Sequence, residues 1–132
     1  MRQEDFSIVF QNLRLFPLLT GLENILVKNA LTKTKSQKEI EIMANQLGVF
    51  DILNQKTETM SYGQRQRIAI IRALCQPFSF LLLDEPFSHL DDDNIKIACE
   101  LINTSIVENQ AGLLLVSLGD DYYLNCEKRL ML

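Results

Sequence analysis

Two carboxylates, Asp84 and Glu85, directly follow an unbroken apolar run at residues 80–83. Such a run is typical of a strand that is buried on both faces of a parallel sheet. Open α/β sheets bind their ligands at the carboxyl ends of their strands. Adjacent carboxylates at that position suit a metal-bound phosphate, with one near the cation and the next near a water molecule. Pro86 prevents the strand from continuing and fixes the turn.

A second candidate site lies upstream, where Ser61 and Gln64 have the spacing of a capping box. This spacing predicts a helix that begins at Ser61. The first backbone N–H groups of a helix have no acceptor within it, so they either simply mark a helix start or bind an anion. The residues alone leave these two alternatives about even.

The elements that must position these groups are indicated by hydrophobic patterns. Strands are expected at residues 6–10 and 113–116, in addition to residues 80–83. Helices are expected from about residue 20 to 30, 36 to 47, 61 to 75 and 91 to 108. The second of these has a capping box, Ser36 and Glu39, and Gly48 stands where a left-handed C-terminal cap belongs. On the third helix, Arg65, Arg67 and Arg72 are predicted to be solvated or ion-paired.

The stretch from Met60 to Asp91 resembles the signature and Walker B segment of ATP-binding cassette (ABC) ATPases. The residues that match the signature helix are Ser61, Gly63, Gln64, Gln66, Arg67, Arg72, Ala73 and Leu74. Those that match the Walker B motif and the D-loop are Asp84, Glu85, Pro86, Ser88, Leu90 and Asp91. The segment around Gln11 is similar to the Q-loop of the same family.

The resemblance implies a subunit that binds and hydrolyses ATP with Mg²⁺. In that family Asp84 would hold the metal through water, and Glu85 would be the general base for the attacking water. Gln11 would contact the metal or the attacking water. From the residue alone, a polar residue that caps the end of a strand is the favoured interpretation of Gln11, and the spacing to Ser61 and Asp84 favours the Q-loop.

The resemblance also implies a head-to-tail dimer. Ser61 and Gly63 would reach the γ-phosphate of ATP that is held by the opposite subunit, and Gln64 and Asp91 would belong to the same nucleotide-binding set. The favourable electrostatics of a helix start is sufficient to explain the presence of Asp92 and Asp93, because carboxylates are stabilised at the positive end of a helix dipole. The other implied partner is a transmembrane transporter subunit, whose cytoplasmic helix would enter a groove beside Gln11.

The sequence departs from the family pattern in several places, of which Met60 in place of a leucine is a mild one. None of its five glycines is followed by lysine, so the phosphate-binding loop G-x-x-x-x-G-K-[ST] is absent from it. Tyr62 replaces a glycine that is usual in the signature, and it could crowd the phosphate path, point away or stack on the nucleotide. Leu118 stands where the family has a switch histidine, and it could instead be a core residue at the end of a strand.

The implied fold is α/β, a partial P-loop NTPase-type ABC ATPase fold. Residues 1–11 would form a core strand and the Q-loop, residues about 12–75 the helical subdomain, and residues about 76–132 the Walker B strand, the D-loop and the C-terminal core. The chain would be the later part of such a domain, as a truncated product or as a piece that acts with another chain. It would be inactive alone, and the alternative function is a non-catalytic interaction module that binds a membrane subunit or a complete ATPase.

Net charge and hydrophobicity limit the classes of molecule that the chain could bind. The net charge of −4 and the pI near 5.0 argue against a nucleic-acid-binding surface, which needs basic patches. The apolar runs are far too short to span a bilayer, and no signal peptide is recognised, so we expect a cytoplasmic protein that reaches the membrane through a partner subunit. Exposed apolar surface and self-association are expected if core strands are missing.

Overall fold

The computed structural model describes residues 6–32, 35–118 and 122–125 of the chain. Within these ranges, three α-helices separate the first strand from the second, and one separates the second from the third. In order they are β1 (Phe6–Val9), α1 (Gly21–Thr32), α2 (Gln37–Gln46), α3 (Tyr62–Leu74), β2 (Phe80–Asp84), α4 (Asp92–Asn109) and β3 (Gly112–Val116). Two 3-10 turns, Phe50–Ile52 and Thr57–Thr59, connect α2 to α3.

Among the described residues, β2 lies in the middle of a three-stranded sheet and pairs in parallel with both β1 and β3. Asp84, the last residue of β2, lies opposite Val116, the last residue of β3. Because the described strands run in the same direction, their carboxyl ends meet at one edge of the sheet. We call this the carboxyl edge; it consists of Gln11, Asp84, Glu85 and Ser117. The predicted α/β class with a parallel sheet is therefore confirmed.

Local capping patterns set the starts of the helices that follow β1. Ser36 and Ser61 each accept a hydrogen bond from the backbone N–H three residues later, and the side chains of Glu39 and Gln64 return a bond to the cap N–H. Both predicted capping boxes are thus confirmed. Gly48 has a φ of 70°, the left-handed conformation that was predicted for the end of α2.

The first helix is slightly longer than its pattern indicates. Thr20 and Glu23 form a reciprocal pair, in which each side chain accepts from the other's backbone N–H at 3.0 and 2.9 Å. This pair confirms the helix start near residue 20. The helix continues to Thr32, past the expected end near Ala30, because no proline or glycine interrupts it.

Helix α3 is the centre of the core and contacts α1, α2, α4 and β1. Ile68 and Ile71 are fully buried, and so is Cys75 directly after the helix, as predicted. Ser7 of β1 donates a hydrogen bond of 2.7 Å to the carbonyl of Ala73, which fixes the helix against the strand. Because α3 is apolar on several sides, it is enclosed by other elements instead of lying on the surface.

Two arginines of α3 correct a prediction. Arg67 donates to the carbonyls of Gly63 and Leu47 at 3.2 and 2.9 Å, and Arg72 donates to two carbonyls of the loop after β1. The expectation of solvated or ion-paired side chains therefore misses these carbonyl acceptors, while Arg67 also interacts with the charge of Asp91. Burial lowers the pKa of both guanidinium groups, and the carbonyl acceptors compensate the buried donors.

One face of the sheet is uncovered in the described part of the chain. Phe6 and Phe80 are 54% and 52% exposed, and their rings stack with centroids 5.8 Å apart. Leu114 and Val116 of β3 are also exposed. We call these four residues the exposed apolar face. A parallel sheet normally has both faces covered by other elements. Here these apolar side chains are exposed, so the prediction of exposed apolar surface is confirmed.

Two further expectations concern membrane spans and the end of the chain. Among the described helices, none combines the length and the apolar character that a bilayer crossing requires. The sequence also predicts the beginning of a last strand at Lys128 to Leu132, which lies outside the described residues.

Candidate functional site

The carboxyl edge brings together the carboxylates that the sequence singled out. Asp84 is half-buried and ends the central strand β2. Glu85 follows in a left-handed conformation with a φ of 47°, and its backbone N–H donates to the carbonyl of Val116 at 2.9 Å. Such a φ is unfavourable for a residue with a side chain, and it is held here by that bond. The half-buried Glu85 therefore turns away from the strand direction directly beside Asp84.

Gln11 lies on the same edge, two residues after β1. Its side chain is exposed. Leu13 and Arg14, later in the same loop, have φ values of 64° and 51°. Their carbonyls accept hydrogen bonds of 2.6 and 2.8 Å from Arg72. The loop is therefore fastened to α3, and Gln11 is the polar residue of this loop that lies closest to β1.

The start of α3 has the geometry of an anion site. Ser61 caps the helix, and its hydroxyl oxygen accepts from the backbone N–H of Gln64 at 3.2 Å. The backbone N–H groups of Tyr62 and Gly63 precede the first intrahelical bond and have no acceptor within the helix. Free N–H groups at the positive end of a helix dipole favour a phosphate.

Gly63 is required by a close approach of backbone to backbone. A Cβ atom at this position would lie 2.5 Å from the carbonyl oxygen of His89. Any larger residue would therefore push the loop before α4 away from α3. This contact explains a glycine in the signature helix without reference to a ligand, and it joins the helix start to the segment that contains Asp91.

Asp91 is the N-terminal cap of α4. Its carboxylate accepts from the backbone N–H of Asn94 at 2.8 Å, and the side chain is exposed. The preceding residues are tied to α3, because Gln66 donates to the hydroxyl of Ser88 and accepts from the N–H of His89, both at 2.9 Å. Gln66 is fully buried. Its part in holding this loop could not be inferred from its position in the sequence.

The donor set at the carboxyl edge is compatible with magnesium. Within residues 6–32, 35–118 and 122–125, no three His, Cys, Asp or Glu side chains are grouped to enclose a metal ion. Magnesium does not need such a group, because it keeps several waters and binds one or two carboxylates together with phosphate oxygens. Asp84, with Gln11 in the loop after the neighbouring strand β1, fits that requirement.

Tyr62 takes a position that sequence reasoning left open. Its hydroxyl donates a hydrogen bond to the carbonyl of Gln11, and its ring lies 4.4 Å from the ring of His89. The side chain is therefore directed towards the loop after β1. The sequence gives no local signal for this bond, because its partners are 51 residues apart.

Leu118 follows β3 beyond Ser117 and is 98% exposed. The alternative that it is a core residue at the end of a strand is wrong, because its side chain buries almost nothing. Its assignment to the switch position stays a prediction.

Comparisons with known proteins agree with this geometry. A family model described as ABC transporter matches residues 1–88. The chain is 38% identical over 118 residues to a glucose import ATP-binding protein of Saccharolobus solfataricus, covering 87% of this chain and 33% of that protein. It is 34% identical to a thiamine import ATP-binding protein of Aliivibrio fischeri, covering 98% of this chain and 60% of the relative.

Solved structures give the same result. The dimeric structure of a bacterial ABC transporter cassette superimposes with a TM-score of 0.71 at 26% identity, over 87% of this chain and 53% of that chain. A second structure of that cassette, in a post-hydrolysis state with ADP and Pi, has a TM-score of 0.71 at 27% identity. The chain thus spans between a third and three-fifths of the length of these relatives.

Proposed function

Because this chain belongs to the ABC transporter family, we propose that it forms the later part of a cassette that hydrolyses ATP and drives transport. The printed names of its relatives, import ATP-binding proteins, support a role in transport. Residues 1–11 supply a core strand and the Q-loop, residues about 12–75 the helical subdomain, and residues about 76–132 the Walker B strand, the D-loop and the C-terminal core.

The observation that carries the proposal is the pair Asp84 and Glu85 at the end of the central strand. Parallel strands on both sides fix this position, and Gln11 follows the neighbouring strand. Asp84 would hold a magnesium ion through water, and Glu85 would accept a proton from the attacking water. Bound Mg²⁺ would supply charge neutralisation on the phosphates. Gln11 would contact the metal or the attacking water.

The start of α3 binds a second nucleotide, which is held by the other subunit. In a head-to-tail dimer, Ser61 and Gly63 bind the γ-phosphate of the ATP that is held by the other subunit, with Gln64 and Asp91 in the same binding set. The support is the row of acceptor-free N–H groups at a capped helix start. The dimeric structure of the similar cassette also supports a pair of subunits.

A membrane subunit is the other proposed partner, and it holds the cassette at the cytoplasmic face of the membrane. A cavity of about 80 Å³ lies beside the Gln11 loop and includes Leu13, Glu58, Tyr62 and Arg65 in its lining. The Nε atom of Arg65 is buried and has no hydrogen-bond partner among the described residues. We place a cytoplasmic helix of the membrane subunit in this groove beside Gln11.

Hydrolysis of Mg-ATP tests the proposal. We define the assembled cassette as this chain joined to the part of the cassette that carries the phosphate-binding loop. The assembled cassette should hydrolyse ATP, and this chain alone should neither hydrolyse it nor bind it with submicromolar affinity in calorimetry. Hydrolysis at equal rates by the chain alone, or none by the assembled cassette, would overturn the proposal.

The exposed apolar face favours a second candidate, a non-catalytic interaction module. An uncovered apolar patch often marks a surface for another protein. The module would bind a membrane subunit or a complete ATPase without turnover, and it could also self-associate. Sedimentation of this chain over a range of concentrations would measure self-association, and an assembled cassette that binds ATP without hydrolysing it would favour the module.

A further inference from the structure

Tyr62 contacts two loops that belong to different motifs. Its hydroxyl donates to the carbonyl of Gln11, in the loop after β1. Its ring lies 4.4 Å from the imidazole of His89, in the loop before α4, with the two planes inclined at 51°. The residue is half-buried and occupies the first position of α3. One side chain therefore joins the start of α3 to both loops.

The loop before α4 is rigidly attached to α3. The buried amide of Gln66 bonds the hydroxyl of Ser88 and the N–H of His89, and the Ser88 hydroxyl lies 3.0 Å from Nδ1 of His89. The carbonyl of His89 approaches Gly63 too closely for any Cβ atom to be accommodated there. A movement of the start of α3 must therefore be transmitted to this loop and to Asp91, which follows it.

The loop after β1 is attached to α3 at two points. Arg72 holds the carbonyls of Leu13 and Arg14 near the C-terminal end of the helix. The hydroxyl of Tyr62 holds the carbonyl of Gln11 at the N-terminal end. Of these contacts, only the tyrosine hydroxyl reaches Gln11 itself. Without it, the backbone at Gln11 would lose its connection to the start of the helix.

We propose that Tyr62 is a positioning residue that couples Gln11 to the loop before α4 through the first turn of α3. The inference rests on the proposed function, in which Gln11 faces the chain's own nucleotide while Ser61 and Gly63 face the nucleotide of the partner. A shift at one nucleotide is then transmitted to the other through the hydroxyl of Tyr62. A glycine at this position would lack the link.

The first part of the test uses this chain and NMR. Tyr62→Phe keeps the ring and removes the hydroxyl. We expect the amide signals of Asn12 and Leu13 to shift, while the ring signals of His89, the only histidine in the sequence, stay in place. Tyr62→Gly should shift both sets. Unmoved amide signals in Tyr62→Phe would overturn the coupling.

The second part measures ATP hydrolysis by the assembled cassette. Tyr62→Phe should lower kcat by about 2- to 10-fold, the range expected for the loss of one net hydrogen bond. KM should change less than kcat, because Tyr62 positions Gln11 and is not itself placed on the nucleotide. The matched control is Tyr123→Phe, which removes a hydroxyl bonded to Asp92 at 2.6 Å on the surface of α4 and should leave kcat unchanged.

The outcomes separate this inference from the proposed function. If Glu85→Gln abolishes hydrolysis but Tyr62→Phe behaves like Tyr123→Phe, the positioning role is wrong and the proposed function stands. If Glu85→Gln leaves hydrolysis unchanged, the proposed function fails. In that case the amide signals of Asn12 and Leu13 alone decide whether Tyr62 couples the two loops.

Discussion

At the scale of single residues, the site is shaped by contacts between backbone atoms as much as by its charged groups. Gly63 allows the carbonyl of His89 to lie against α3. Glu85 adopts a left-handed φ because its N–H is bonded to Val116 on the neighbouring strand. These two positions fix where the carboxylates and the helix start lie, so changes there should affect both stability and the site.

Gly63→Ala should destabilise the chain by about 1–3 kcal/mol, the usual effect of an overpacked position. The added Cβ would meet a backbone carbonyl at 2.5 Å, and that carbonyl cannot move without its loop. Gly21→Ala is the matched control, because its Cβ would meet the flexible side-chain ends of Ile68 and Met60 at 3.0 and 3.1 Å. Urea unfolding measures both variants, and equal stability of the two would contradict the close-approach argument.

At the scale of elements, the features that could be predicted are those encoded by neighbouring residues. The capping boxes at Ser36 and Ser61 join residues three apart, and the strand at residues 80–83 is a single apolar run. The acceptors of Arg72 could not be predicted, because they are backbone carbonyls 58 and 59 residues away that any sequence provides. The bond from Tyr62 to Gln11 could not be predicted either, because its acceptor is also a backbone carbonyl that is distant in sequence.

The two capping boxes allow a matched comparison between structure and function. Ser36→Ala and Ser61→Ala should each cost about 1 kcal/mol of stability, because each removes the acceptor for one helix N–H. Only Ser61→Ala should also lower ATP hydrolysis by the assembled cassette. Thermal unfolding and an ATPase assay on both variants check this. Equal hydrolysis by the two would remove Ser61 from the nucleotide site.

At the scale of the whole molecule, the described residues form a well-packed interior around α3 and leave one face of the sheet uncovered. Its interior is closed by helices, whereas Phe6, Phe80 and Leu114 are left exposed. The family and the parallel sheet were predictable because the signature and Walker B residues are contiguous in the sequence. The detailed shape of the carboxyl edge was not, since it depends on the pairing of β2 with strands that are distant in sequence.

We propose that Glu85, at the end of the central strand, activates water for ATP hydrolysis. The most direct measurement is steady-state ATP hydrolysis by the assembled cassette that carries Glu85→Gln, beside Glu100→Gln on the exposed side of α4 as the control. Loss of a general base should reduce turnover by about 10²- to 10⁴-fold, with ATP binding retained and with the control at the wild-type rate. Turnover by Glu85→Gln that equals the control would contradict the account.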